Sequence, residues 1–476
     1  MKRILCLAIL FAGCNVDRAV ETQLMPLKDC TDVESAIRQI ALKDMNHRMD
    51  EALERSLQYG SGGYCWGLDI SMEMDGAGNG APTKAGAPQT SNGEANQVSG
   101  TNNQVLGVDE ADFVKNDKKY IYILTEKSFR IINAWPPEQA NEIAKVSIEG
   151  EPLKLYVYND RALIYSSLEA VSSQKVNESY PGDYYGNREC TYGYSCSFTG
   201  DGHPTKITVL DISNVTAPTL VREIVLSGSY VNARRVGHAV YTVLSSPAVL
   251  FREVRYYPDD FGYCGSNMSW WETWKVFEKL RAENKKIILT ASLENLFPSA
   301  IDTIHVGENA GKSTQLLAEC NGFYLASIAD GGQFTTLLSL DMTKETTVDA
   351  ATIISRPGAV YASGEALYVA VPHERYDNYG WYPGMEGQEQ ASSVHKFLLN
   401  KEPVLVNYAA SGVVKGKVLN QFSMDEKDGY LRIATTSGHV PDPNVHSTLT
   451  VLGQTATTLE TEGLLDKLAP QEDIRS

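Results

Sequence analysis

The sequence predicts an all-β protein, a propeller of four-stranded antiparallel blades, on three observations. From residue 105 onward, short runs rich in Val, Ile, Leu and Tyr alternate with Gly, Asn, Asp and Pro, which is the pattern of strands and tight turns. The runs recur as paired units, and two neighbouring pairs of units start 43 residues apart, the period of a propeller blade. With 476 residues, 43% hydrophobic and 21% charged, the chain can fill a large core and is too polar for a multi-span membrane protein.

Charge narrows the partners. Lys and Arg number 42 against 59 Asp and Glu, a net −17, whereas neutralising phosphates requires basic residues in excess. No nucleic-acid partner is expected.

Taken in order, the chain opens with Lys2 and Arg3 before an apolar run, Ile4 to Phe11, that ends in Ala12, Gly13 and Cys14. The run is too short for a permanent membrane helix, and a basic start with a small-residue stop is the export pattern. It resembles the bacterial lipobox, with Phe11 where Leu usually stands three places before the cysteine. The resemblance implies a signal peptide over 1–13 and a lipid on Cys14, with an ordinary cleaved signal as the alternative. Asn15 after the cysteine implies, by the sorting habit of such lipoproteins, the outer membrane of a Gram-negative envelope.

Six cysteines then remain: Cys30, Cys65, Cys190, Cys196, Cys264 and Cys320. An even number in an exported chain reads as disulfides, and the spacings point to 30 with 65, 190 with 196 and 264 with 320, although six cysteines allow fifteen pairings. No CxxC pair offers a zinc site.

Residues 31–59 place Val33, Ile37, Ile40, Met45, Met49, Leu53 and Leu57 on one helical face, with Thr31 and Glu34 as a capping box. Together with the anchor they form a segment over 14–74. Residues 75–104 hold almost no large apolar side chains and are expected to be a flexible spacer that gives the anchored protein reach. The string GAGNGA within it has no strand before it and no helix after it, so it is not read as a dinucleotide fingerprint.

The propeller is expected over 105–476. Its six visible units are NDKKYIYIL with FRIINA, NDRALIYSS with TKITVLDIS, VGHAVYTVL with KKIILTASL, NGFYLASIA with FTTLLSLDM, GEALYVAVP with SVHKFLLN, and DGYLRIATT with STLTVLG. EIAKVSIEG reads as an outer strand and PLKLYVYN as the next inner one.

In TNNQVLGVDEADFVKNDKKYIYIL, in TKITVLDIS followed by LVREIVLSGSYVNARRVGHAVYTV, and in VLNQFSMDEKDGYLRIATT, the chain resembles the secreted bacterial and archaeal proteins whose β-propeller domain is distantly related to WD-type repeats. The resemblance runs from about residue 100 to the C-terminus and implies a propeller and an exported location. Members of that family continue further, and GLLDKLAPQEDIRS reads as the opening of another blade, so the ring is expected to be truncated or unusually closed.

Large expansions fall between second and third strands, at roughly 168–204, 246–285, 372–392 and 436–446. Because strand direction alternates, these connections share one rim. The first three hold 19 of the 43 aromatic residues, among them Tyr184, Tyr185, Tyr192, Tyr263, Trp270, Trp271, Tyr379 and Trp381. Tyr and Trp combine contact area with a polar handle, which suits a glycan or protein ligand; small cores internal to the loops are the structural alternative. MSWWETWKVFEKLRAENKK reads as a short amphipathic helix with Trp271, Trp274, Phe277 and Leu280 on one face, docked on the propeller rim.

Other chemistry is weaker. VGENAGKST (306–314) lacks the first glycine and the helix of a phosphate loop. Asp109, Glu110, Asp112 and Asp117 lack EF-hand spacing and read as a solvated turn, and DEKDG (425–429) as a hairpin turn. His203, His373, His439 and His446 border the expansions without close ligand spacing. No catalytic residue, metal ligand or cofactor is assigned. The expected role is a lipid-anchored binding or scaffolding module. The alternative is a hydrolase or lyase acting on carbohydrate through two inner carboxylates.

Overall fold

The computed structural model describes residues 19–59, 103–168, 198, 200–247, 251, 253–258, 268–293, 297–307, 310–328, 333–375 and 380–474. The chain divides into two compact units. Unit 1 comprises Met1–Ala41, Gly100–Leu250 and Ser292–Ser476, and unit 2 comprises Leu42–Ser99 and Phe251–Ala291.

Unit 1 begins with a strap that contains β1 (Met25–Pro26) and leads into α1 (Cys30–Tyr59). The helix starts earlier than the Thr31 box implies, because the Asp29 carboxylate accepts the backbone N–H of Asp32 at 2.9 Å while the Asp32 carboxylate accepts that of Lys28 at 3.2 Å. Cys30 pairs with Cys320, which overturns the pairings of Cys30 with Cys65 and of Cys264 with Cys320. Strand pairing explains it: β1 runs antiparallel to Phe323–Leu325 and brings the two sulfurs together across 290 residues of sequence.

After β2 (Asp109–Glu110) come five antiparallel meanders. Blade one is β3 (Val114–Asn116), β4 (Tyr120–Thr125), β5 (Ser128–Asn133) and β6 (Asn141–Ser147). Blade two is β7 (Glu151–Tyr158), β8 (Arg161–Ser167), β9 (Thr205–Asp211) and β10 (Thr219–Leu226). Blade three starts with β11 (Ser229–Val236) and β12 (Ala239–Pro247). A long excursion follows, containing α2 (Trp270–Thr290), β13 (Ser299–Ile304), β14 (Gly311–Leu316) and β15 (Phe323–Leu325).

The blade is then completed by β16 (Gln333–Asp341) and β17 (Asp349–Ile354). The β13–β14 hairpin widens blade two at β10, and β15 lies parallel to β17. Blade four is β18 (Ala359–Ala362), β19 (Ala366–Glu374), β20 (Gln390–Lys401) and β21 (Val404–Lys415), and blade five is β22 (Met424–Lys427), β23 (Tyr430–Ser437), β24 (His446–Thr455) and β25 (Thr458–Leu468).

The propeller expectation holds, with five meanders among the described residues where six units were read. VGHAVYTVL and FTTLLSLDM are the second and third strands of one blade, NGFYLASIA supplies only the edge strand β15, and KKIILTASL lies largely in α2. A short apolar run such as Ile287–Leu289 has no periodicity that separates helix from strand. GLLDKL (463–468) is the end of β25 and does not open a further blade. Beyond Leu459, this outermost strand is mostly exposed and carries Glu460, Glu462, Asp466 and Lys467, charges that discourage edge-to-edge pairing.

Apolar cores lie between successive blades, as radial stacking of sheets requires. Tyr122, Phe129 and Ile131 of blade one pack with Leu155, Ile164 and Leu210 of blade two. Tyr165 of blade two bonds Thr242 of blade three at 2.6 Å. Tyr241 and Leu337 share a core with Val369 and Phe397 of blade four, whose Tyr361 and Tyr368 pack with Ile433 and Leu452 of blade five. LDIS and LDMT end the third strands of blades two and three. In each, the aspartate (Asp211 or Asp341) accepts the N–H and hydroxyl of the residue two on, Ser213 or Thr343, an Asx turn that closes the hairpin.

In unit 2, α2 is capped by a Ser269–Glu272 box. Its buried face is Thr273, Phe277, Leu280, Asn284 and Ile288, so the stripe is rotated from the expected one and Trp271 is exposed. The helix meets α1, with Asn284 against the sulfur of Met49 and Arg281 bonded to Asn46 and Asp50.

Candidate functional site

The first strands of the blades converge on residues 103–112. Here β2 pairs antiparallel with β11, setting Glu110 opposite Arg234 and Asp109 opposite Arg235. Asp109 accepts from Lys115 Nζ of β3 at 2.7 Å and from both Nε and a terminal nitrogen of Arg235 at 3.1 and 2.7 Å. Gln421, just before β22, joins Glu110 at 3.2 Å and Arg234 at 2.5 Å, and Gln104 donates to the carbonyls of Gln421 and Met424. Asp112 exchanges backbone bonds with Leu155 of β7, and Val108 is buried. Three cations and two carboxylates, all partnered, thus stand at the axis, where residues 103–112 meet the inner edges of the blades.

A second polar site is a cleft of about 400 Å³ formed by β6, residues 147–149, β9, β10 and Pro218. Lys206 reaches Glu149 at 2.5 Å and also bonds Glu223, whose other oxygen takes His305 at 2.8 Å. Burial works against both charged forms. The Glu149 and Glu223 bonds nevertheless raise Lys206 above its ordinary value, and those from Lys206 and His305 hold Glu223 below the usual carboxylate range. A glycosidase acid needs a raised pKa, and Glu223 is shifted the other way.

The residues expected to bind do not form one described surface. Tyr184, Tyr185, Tyr192, Tyr263 and Tyr379 lie outside the described residues, as do Cys14, Cys65, Cys190, Cys196 and Cys264. Trp381 is 2% exposed, donates its indole N–H to the Met385 carbonyl at 2.7 Å and packs with Tyr382, Ile328 and Ala391. It is a core residue of the rim and not an open ligand platform. Trp270 and Trp271 are exposed in unit 2, where Trp271 stacks on Trp274 with centroids 5.0 Å apart and planes 11° apart, and Lys275 covers the Trp271 ring.

Of the acidic cluster, Asp109 and Glu110 belong to the axis, and Asp117 caps the turn into β4 by accepting from the backbone of Lys119 and Tyr120. Gly311–Leu316 is a strand, so no helix follows VGENAGKST, and DEKDG forms the β22–β23 hairpin turn. His373 is buried against Ser393. No group of three or more His, Cys, Asp or Glu side chains among the described residues is arranged to hold a metal ion. Sequence reasoning missed Lys206 and Glu223 because they lie on separate strands within otherwise ordinary strand text.

Comparison with known proteins bears on the whole of this architecture. The model of the beta propeller domain family matches residues 98–476. The chain belongs to that family. An uncharacterised protein of Methanocaldococcus jannaschii is 23% identical over 377 residues, 72% of this chain and 51% of that protein. The chain thus spans about half the length of the curated relative it matches. Among solved structures, a functionally unknown protein from Desulfotomaculum acetoxidans is 10% identical, with 76% of this chain and 87% of that one covered and a TM-score of 0.24. A hypothetical selenium-binding protein from Sulfolobus tokodaii is also 10% identical, with 74% and 76% covered and a TM-score of 0.20. The beta propeller domain is a generic binding or scaffolding fold.

Proposed function

We propose that this beta propeller protein is exported, is held in the cell envelope through lipid on Cys14, and binds or scaffolds a glycan or protein partner with the rim that carries its long connections. One observation carries the reading: connections are unequal between the two rims. The first-to-second and third-to-fourth strand turns run from two residues, as at 159–160 and 402–403, to seven, as at 212–218 and 342–348. The second-to-third connections run over 168–204, 248–332, 375–389 and 438–445 in blades two to five. Long loops on a rigid sheet scaffold are where propellers place recognition.

The test uses a chain beginning at Asn15, offered a panel of soluble glycans and peptides with both retention and product release measured. Saturable retention without turnover supports the proposal. Turnover of a glycan supports the hydrolase or lyase reading instead.

A further inference from the structure

The N-terminal strap is fastened to unit 1 almost from its first described residue. Ala19 bridges Trp381, Val20 donates to the Trp381 carbonyl at 3.1 Å, and Val20 packs in the cluster of Ile328, Trp381, Tyr382 and Ala391. Further along, Gln23 bonds Thr458, Leu24 N–H bonds the Tyr408 hydroxyl at 3.0 Å, and Leu24 is buried. β1 pairs with β15, and Cys30 is bonded to Cys320. The strap is therefore locked to blades three, four and five before α1 begins. The 75–104 spacer lies downstream of every one of these contacts, so it is not the segment that separates residue 14 from the propeller.

Only five peptide steps connect Cys14 to Ala19, at most about 18 Å when fully extended. Their fixed end lies where β19 gives way to β20, since Trp381 falls between Glu374 and Gln390 and packs on Ala391, at the start of β20. That is the rim of the long second-to-third connections.

We infer that the strap turns this rim toward the lipid surface and holds it within about 18 Å of the bilayer, so that the partner recognised there is membrane-proximal. The inference rests on the proposed lipid at Cys14. Net charge does not supply the orientation, because a chain of −17 is not drawn to an anionic surface. The short tether does. The partner must lie in the thin layer between rim and headgroups, and a ligand far out in solution would reach only the opposite rim, where the hairpins are short.

The two ends of β20 provide the ruler. Glu389 precedes it at the loop rim and Lys401 ends it at the opposite one, about 40 Å apart at the rise of an extended strand. The full lipidated chain is placed in phosphatidylcholine vesicles that carry a headgroup energy acceptor, with a donor dye on p-azidophenylalanine replacing either residue. The expected result is strong transfer from position 389 and several-fold weaker transfer from position 401, unchanged when residues 76–98 are deleted and equalised when a twenty-residue Gly/Ser segment is inserted after Asn15. Equal or reversed transfer in the unaltered chain, or a change on deleting 76–98, overturns the inference. Cys14→Ser reads the anchor separately: vesicle binding that survives it refutes the lipid reading, whereas loss of binding with equal transfer in the unaltered chain refutes only the orientation.

Discussion

Asp109 and Arg235 stand opposite each other across the β2–β11 pair, and the Asp109 carboxylate takes two guanidinium nitrogens at 2.7 and 3.1 Å while its other oxygen takes Lys115 at 2.7 Å. One carboxylate therefore joins the innermost strands of blades one and three to β2.

Removing that carboxylate leaves Lys115 and Arg235 with backbone carbonyls but without their countercharge. Asp109→Ala is expected to lower stability by about 3 kcal/mol, read as a reduced midpoint in urea. Asp112→Ala, whose axis contacts are made by its backbone, should cost under about 0.5 kcal/mol. Equal effects of the two variants would contradict the description of the axis.

Arg222 and Asp302 form a second such pair, with the Arg222 and Asp302 side chains 2% and 7% exposed and two parallel hydrogen bonds between β10 and β13. Asp302→Ala should destabilise by about 3–5 kcal/mol, and replacing both partners with Arg222→Met and Asp302→Leu by clearly less, because no buried charge is then stranded. A double-mutant cycle in urea measures the coupling.

His395 gives the protein an acid-sensitive step. It sits in a buried chain of hydrogen bonds, His373–Ser393–His395–Ser411–Tyr408, and burial, reinforced by His373, pushes its pKa down to about 3. A depressed folded-state value favours the folded chain above the unfolded pKa of about 6.5, and that contribution is lost as pH falls toward 3, at up to about 1.4 kcal/mol per pH unit. Depressed carboxylates such as Glu223 and Asp211 add their loss only below about pH 4. Thermal or urea unfolding between pH 6.5 and 4.5 should therefore show a slope that His395→Gln removes. An unchanged slope would show that His395 takes up its proton without unfolding.

The Cys30–Cys320 bond closes the strap onto blade three. Cys30→Ser and Cys320→Ser should each cost about 2–5 kcal/mol and speed amide exchange over residues 19–30. Peptide mapping without reduction should recover residues 30 and 320 in one linked peptide. A 30–65 link would contradict the strap.

Much of this fold was legible because most blade pairings are local. NDKKYIYIL and FRIINA meet across a two-residue turn, and GEALYVAVP finds SVHKFLLN through one connection. Blade three was split because β12 pairs with β16 across residues 248–332, and nothing in either strand names so distant a partner. Proximity in sequence suggests Cys30 with Cys65, whereas the β1–β15 contact sets Cys30 against Cys320. Trp381 is legible as an aromatic in a long connection but not as buried, because Val20 and Ile328, which pack with it, lie far away in sequence. Asp109 reads as one of several acids in a turn until β11 supplies Arg235.

The recognition rim is tested most directly by replacing residues 170–198 with Gly-Gly in the chain beginning at Asn15 and comparing saturable binding to isolated envelope glycan, by calorimetry, with that of the unshortened chain. The account predicts binding without product release that falls at least tenfold on shortening, with the urea midpoint lowered only by the loss of Phe198 from the core of blades four and five. Undiminished binding by the shortened chain, or release of cleaved glycan by the unshortened one, would contradict it.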